Sequence, residues 1–199
     1  FSADLGQMWG LDSLFVAASA VGGRVHFDRF EGKGAGASLV VDGELILRSA
    51  YDLRATYTSV SLEAVPDAVR YGAVGTGIKV TGSALGPWEA PDVTVKVSAD
   101  HLELAGGVFD QLEIDSSLPL DGEGGASIQS AAAYWGGRTL VGFYADVGAI
   151  GDEVSFLIGN KEGTDNRVSI WGTATTGSDT LSVRIDSARV QMNDEYVVN

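Results

Sequence analysis

The sequence predicts an all-β protein arranged as an antiparallel meander, and three observations carry that expectation. Apolar and polar residues alternate in short segments such as Val93-Val95-Val97, Val154-Phe156-Ile158 and Leu181-Val183-Ile185. Strand side chains point to opposite faces with period 2, so each segment reads as a strand that is apolar on one side only. Gly, Asp and Asn separate these segments at short, regular intervals, which implies hairpins between sequential antiparallel neighbours. Apolar parity also switches within two of the segments. Tyr51, Leu53, Ala55 and Tyr57 give way to Val60 and Leu62, and Val93, Val95, Val97 and Ala99 give way to Leu102 and Leu104. One extra residue flips the faces, so each switch predicts a bulge or bend and suits a curved sheet.

Composition sets the outer bounds. The 199 residues, 45% apolar, suffice for one packed unit, and no linker or low-complexity tract divides them. The 27 glycines against four prolines fit many tight turns, and the net charge of −14 opposes binding to nucleic acid or an anionic membrane surface. With no cysteine, disulfides, thiolate catalysis and zinc–sulfur sites are excluded. The chain opens Phe1-Ser2-Ala3, and its longest early apolar stretch, Leu14 to Val21, is far shorter than a membrane span. This reads as an excerpt from a longer polypeptide or a processed product, with any anchor or targeting signal outside it.

Residues 1–14 are the least regular, with a short helix over 4–14 suggested by Leu5, Met8, Trp9 and Leu11 and weakened by Gly6 and Gly10. Repeated strands fill 15–199: near 15–20, 24–30, 37–48, 51–62, 74–85, 92–104, 108–118, 125–135, 138–147, 153–159, 167–175 and 180–191, with an incomplete one at 195–199. Ala64, Val65, Ala68 and Val69 suggest a second helix over Leu62 to Arg70, which Pro66 limits to about a turn. Asp42-Gly43, Gly106-Gly107, Asp121-Gly122, Gly136-Gly137 and the stretch Gly163 to Asn166 carry hairpin or bulge chemistry.

No residue pattern points to catalysis. His26 and His101 lie at strand positions beside Asp28, Asp100 and Glu103 without metal-ligand spacing, so solvent-facing strand residues are expected. The run Glu31 to Ser38 and Gly75-Thr76-Gly77 lack the Lys-Ser/Thr ending or the following helix of a phosphate loop. The acidic turns at Asp121-Gly122-Glu123 and Asp165-Asn166 lack the spacing of a calcium loop. Tyr134-Trp135 and Trp171 offer a glycan-stacking platform, which defines the alternative reading: a β-sandwich adhesion module that binds glycan or protein. No catalytic residue, metal or cofactor is expected.

The block from Leu62-Glu63-Ala64-Val65-Pro66-Asp67 through Gly75-Thr76-Gly77 to Gly82-Ser83-Ala84-Leu85-Gly86-Pro87-Trp88-Glu89-Ala90-Pro91-Asp92-Val93 resembles the TamB family of AsmA-like envelope proteins. Those proteins repeat a short helix ending in proline, a Gly-rich strand and a G-x-L-x-x-P-x-V turn; here Trp88-Glu89 is inserted in that turn. Arg24 to Leu47 resembles the family's paired strands. Leu181 to Val198 resembles its closing strand, with Tyr196 where the family tends to place Trp.

The resemblance implies a long, open, U-shaped (taco-like) sheet that belongs to a translocation and assembly module of outer-membrane biogenesis. Such a protein is anchored in the inner membrane through a segment outside this chain and reaches across the bacterial periplasm as a lipid-transport bridge. It further implies phospholipid as the partner, with an outer-membrane assembly barrel as a partner of some members. No nucleic acid is implied, and no catalytic residue is carried over.

The expected lining of the hydrophobic groove is Phe27, Leu45, Leu47, Ile78, Val80, Val93, Val95, Val97, Ile114, Ile128, Val154, Phe156, Ile158, Val168, Ile170, Leu181, Val183 and Ile185. Drawing both tails of a phospholipid into water costs roughly 25 kcal/mol, at about 0.8 kcal/mol for each of some 32 methylenes, and such a lining would remove most of that barrier. Alternation alone equally suits a closed sandwich core, and without the resemblance the sandwich is the simpler expectation.

Overall fold

The computed structural model describes residues 10–64, 72–104, 106–119, 123–161, 166–176 and 181–191. Twelve strands run in chain order: β1 Ser13–Val21, β2 Arg24–Lys33, β3 Ala37–Ile46, β4 Ala50–Ser61, β5 Val74–Pro87, β6 Asp92–Leu104, β7 Gly107–Pro119, β8 Glu123–Trp135, β9 Arg138–Ile150, β10 Glu153–Asn160, β11 Arg167–Thr176 and β12 Leu181–Gln191. All belong to one antiparallel sheet whose spatial order is the sequence order, and β1 and β12 do not pair to close it. The fold is therefore an open, curved meander groove, and the sandwich alternative does not form because the described residues supply no second sheet. Open sheets rarely exceed ~10 strands without curling, because strand twist accumulates from neighbour to neighbour.

Tight turns join the strands where backbone sterics demand glycine. Gly22-Gly23 and Gly136-Gly137 each place two residues at positive φ, as a two-residue hairpin with right-twisted strands requires. The β3–β4 turn, Leu47 to Ser49, has no glycine. Arg48 takes the left-handed conformation instead (φ 60°), and Ser49 N–H donates to the Ile46 carbonyl at 3.0 Å.

Several local expectations need correction. Asp42-Gly43 is not a turn: it lies within β3, opposite Arg54 and Leu53, where Gly43 (φ 125°) faces a bulge in β2 between Phe27 and Phe30. A helix over 4–14 does not extend to its end, because Ser13 and Leu14 begin β1; residues 1–9 lie outside the described part. Of the second helix, Leu62–Ala64 forms a 3-10 turn and 65–70 lie outside the described residues, as do 120–122, 162–165 and the strand expected at 195–199. The bulge expected in β4 is absent. Its ladder with β5 runs in constant register from Ala50↔Pro87 to Ser61↔Thr76, so Val60 stays on the outer face while Leu62 turns inward only because the 3-10 turn redirects it.

The parity switch expected in β6 is real, yet no single strand carries it. Buried or partly buried residues step by three instead of two at Gly75/Ile78, Ala99/Leu102, Phe109/Leu112, Ser130/Ala133 and Leu140/Phe143. These steps fall on one line across β5 to β9, and pairing on either side of it keeps the same register. Gly77, Gln111 and Gly142, on alternate strands along that line, adopt left-handed φ of 64°, 50° and 63°. Five neighbouring strands thus slip phase together, and the sheet folds along a shared crease.

The tightest packing sits at this crease. Ile78, Ala99 and Leu112 are 6%, 4% and 3% exposed, with Leu62, Leu102, Phe109, Ile114 and Ile128 against them. Leu11, Ala37 and Tyr57 continue the cluster toward β2 to β4. Backbone groups freed by the bend are satisfied by buried polar side chains in the same region. Ser130 Oγ donates to the Asp110 and Ala132 carbonyls (2.7 Å each), and Ser59 Oγ donates to the Ser61 carbonyl (2.7 Å). At the end of β10, Asn160 Nδ2 donates to the Asn166 carbonyl and its Oδ1 accepts from Val168 N–H, both at 2.7 Å.

Candidate functional site

Directly opposed residues in an antiparallel ladder share a face, so the pairing register reveals what each face carries. One rung runs Leu14–Gly32–Leu39–Tyr57–Val80–Val97–Ile114–Ile128–Ala145–Ile158–Ile170–Ala188, crossing all twelve strands without a polar side chain other than the Tyr57 hydroxyl. The next rung on the same face runs Val16–Phe30–Val41–Ala55–Gly82–Val95–Ser116–Ala126–Val147–Phe156–Gly172–Ile185. A third brings in Phe27, Leu53, Ala84, Val93, Val154 and Val183. Between the crease and the opposite strand ends, which form the rim, no described residue on this face is charged.

The rung between them belongs to the other face and is mixed: Glu31, Thr56, Thr81, Lys96, Asp115, Ser127 and Asp146 share it with Phe15, Val40, Leu157 and Trp171, so all of the charge, but not all of the apolar surface, lies on that side. Cross-strand pairs knit that face together. Ser38 and Thr58 hydroxyls lie 2.7 Å apart, as do Ser83 and Thr94, and Lys96 Nζ meets Asp115 Oδ1 at 2.6 Å. Arg29 and Glu31 (2.7 Å) pull each other's proton affinity apart, raising the guanidinium and lowering the carboxyl through their hydrogen bond. Bulges in β2 and β12 preserve the division, because Arg29 lies over the outward Phe15 ring (4.8 Å) and Asp186 pairs with outward Arg184 (2.8 Å).

Sixteen of the residues expected to line a groove fall on the uncharged face. Leu181 occupies the matching register position opposite Thr176. Leu47 does not: it sits in the β3–β4 turn, 53% exposed, because β3 ends at Ile46. Sequence reading missed Tyr57, Leu112 and Phe143, whose parity was legible, and the small residues Ala55, Gly82, Ser116 and Ala126, which leave room along the second rung. An ideal Cβ at Gly82 would meet only the Thr94 carbonyl, at 3.6 Å.

The remaining candidates do not converge. His26 and His101 lie on the polar face. His101 bridges strands, with Nδ1 2.8 Å from Asp110 and Nε2 3.3 Å from Glu103, and these hydrogen bonds raise its pKa above the ordinary value. Among the described residues no cluster of ligating side chains could hold a metal ion. Trp171 lies on β11 in the rung that crosses β8 at Ser127, several rungs from Trp135 at the far end of β8, so the two do not form one platform. The Trp88 inserted in the β5–β6 turn stacks on Tyr51 (centroids 4.6 Å apart, planes 13° apart) and seals the strand ends at that corner.

Fold and face together define an open β-groove protein with a one-sided, uncharged interior. Comparison with protein-family models, curated proteins and solved structures found no match to this chain.

Proposed function

We propose that the uncharged face is a binding groove for hydrocarbon chains, and that the protein holds phospholipid acyl tails along it, as the TamB resemblance implies. The observation that carries this reading is the unbroken register of the apolar rungs. Eleven strand spacings of about 4.8 Å make them roughly 50 Å long, and three rungs cover on the order of 1,000 Å² of sheet. Across the central strands this floor is half-buried and not closed over, and contiguous apolar surface left open in this way marks an interaction surface. No apolar side chain in the described residues is fully buried, so this face lacks the partner layer a self-sufficient core requires. Each methylene laid against such a face gains about 0.8 kcal/mol, and sliding along it exchanges one apolar contact for another. In this reading the groove moves lipid between the inner and outer membranes across the periplasm and assists outer-membrane assembly.

Photo-crosslinkers at Ile114 and Phe156, on the floor, test the proposal against a crosslinker at Asp146 on the polar face. Expressed in bacterial cells, the floor positions should capture phospholipid and Asp146 should not. Equal capture at both, or none at either, sinks the reading. Gly82→Trp, which fits the backbone but fills the second rung, should reduce floor capture severalfold while the folded β-spectrum persists.

A further inference from the structure

We propose that the polar face carries a second binding site, a cleft that takes an uncharged, β-linked glycan by stacking one pyranose ring on Tyr144. It lies on the side of the sheet opposite the lipid floor and does not depend on that reading. The cleft measures about 530 Å³, within the range of roughly 300–1,000 Å³ usual for small-ligand sites. The crease builds it. Gln111 and Gly142, two of the left-handed residues along that line, both border the hollow. Lys161 N–H donates to the Gly142 carbonyl at 3.1 Å, and its side-chain stem covers Gly142 to form one wall.

The base of the cleft is an aromatic ring laid flat. Tyr144 on β9 opposes Gly159 on β10. A Cβ at Gly159 would meet the Tyr144 hydroxyl at 2.6 Å and Cζ at 2.7 Å, and after them the Val168 carbonyl at 3.0 Å. Two atoms on the ring axis at nearly equal distance, with no ring-edge atom closer, place the ring face-down on the glycine. Its other face is turned to the cleft. Such a face suits the C–H side of a gluco-configured pyranose, whose hydroxyls then point outward around the ring edge. At that edge stand Gln129, opposite Tyr144 on β8, and Asp146, the next outward residue on β9. Neither makes a hydrogen bond or ion pair with a described residue, so an amide and a carboxylate are left to take the hydroxyls. A phosphate ligand would instead meet Asp146 and Glu113 in a chain of net charge −14. The site also extends beyond one sugar. A neighbouring cleft of about 250 Å³ joins it at Glu113 and continues over β5 to β7. In the other direction Trp171, 49% exposed on the same face, lies one strand and two residues from Gly159, roughly 8 Å away.

The test titrates the intact chain with cellotetraose and chitotetraose, reading saturation transfer to sugar protons by NMR and affinity by calorimetry. Sorbitol, which has the hydroxyls but no ring face, is the control. At least one tetraose should bind, with its ring C–H protons most strongly saturated, and sorbitol should not. Tyr144→Leu still covers Gly159 but removes the aromatic face, and should weaken binding about fivefold or more while the thermal midpoint stays near that of the parent. Gln129→Ala combined with Asp146→Ala should weaken it likewise, whereas Trp135→Ala, at the far end of β8, should leave it unchanged. Binding of neither tetraose, or affinity unaffected by Tyr144→Leu, overturns the proposal. So does uptake of the polar peptide Gly-Ser-Gly-Ser with equal affinity. Should Tyr144→Leu fail to fold, the Gln129 and Asp146 double variant decides in its place, and unchanged affinity there overturns the site. Each of these outcomes leaves the lipid reading untouched.

Discussion

Gly142 illustrates how a single residue supports the crease. Its φ of 63° is left-handed, and an added Cβ would run into the Lys161 side chain. Gly142→Ala should therefore destabilise the fold by about 1–2 kcal/mol, read as a lowered denaturant midpoint, with most of the loss coming from the backbone conformation. His101 gives a second residue-scale outcome. Its folded-state pKa is raised because the protonated ring donates to Asp110 and Glu103. Its contribution is therefore fully present below the unfolded value of about 6.5 and is lost as pH rises through the higher folded value. The urea midpoint should fall modestly across that window in the native protein, and His101→Gln should flatten this part of the profile. Both histidines were legible in the sequence as strand residues outside any site. The partner of His101 was not, because Asp110 lies on the next strand and only the register brings it near. Leu47 shows the opposite failure: its apolar character suited the floor, but Arg48 takes a left-handed turn that no Gly or Asn announces.

At the scale of the strand, alternation located all twelve described elements to within a few residues, because a one-sided strand is what period-2 patterning encodes. What it could not resolve was how phase errors distribute. A parity change looks the same in one strand whether it comes from a bulge, from a strand end as at Val60 and Leu62, or from the collective slip of β5 to β9. Asp42-Gly43 was likewise indistinguishable from a turn, since a glycine opposite a bulge needs the same positive φ. Packing at the crease yields a contrast between elements. Leu112→Ala should cost about 2–4 kcal/mol because it opens a cavity in the most buried cluster. Val183→Ala on β12, 55% exposed, should cost less than about 0.5 kcal/mol; thermal denaturation of the two variants reads the difference. Strand β1, Ser-Leu-Phe-Val-Ala-Ala-Ser-Ala-Val, has none of the charges that usually blunt a sheet edge. Ala17→Lys should weaken any concentration-dependent association of the isolated chain, as measured by sedimentation velocity.

Across the whole molecule, strands touch chiefly their sequence neighbours, so stability should be graded from the centre outward as in a repeat array. Hydrogen–deuterium exchange should be slowest in β5 to β9, where the crease is packed, and fastest in β1 and β12; uniform protection would show a single cooperative core instead. The sheet's openness was not written in alternation alone, which a sandwich satisfies equally, because residue parity records which side is apolar and never what covers it. The synchronised slip along the crease has a consequence for how such a chain can vary through evolution. Parity behaves like a reading frame: a residue gained or lost inside one strand, unless a bulge absorbs it, would swap that strand's inward and outward sets, lifting Lys96 or Asp115 onto a floor that otherwise holds no charge. Substitutions within the floor can be accommodated one at a time. Length changes must fall in the turns, be taken up by a bulge as in β2 and β12, or occur in five neighbouring strands at once, so descendants of this chain should drift freely in sequence and much less in strand spacing.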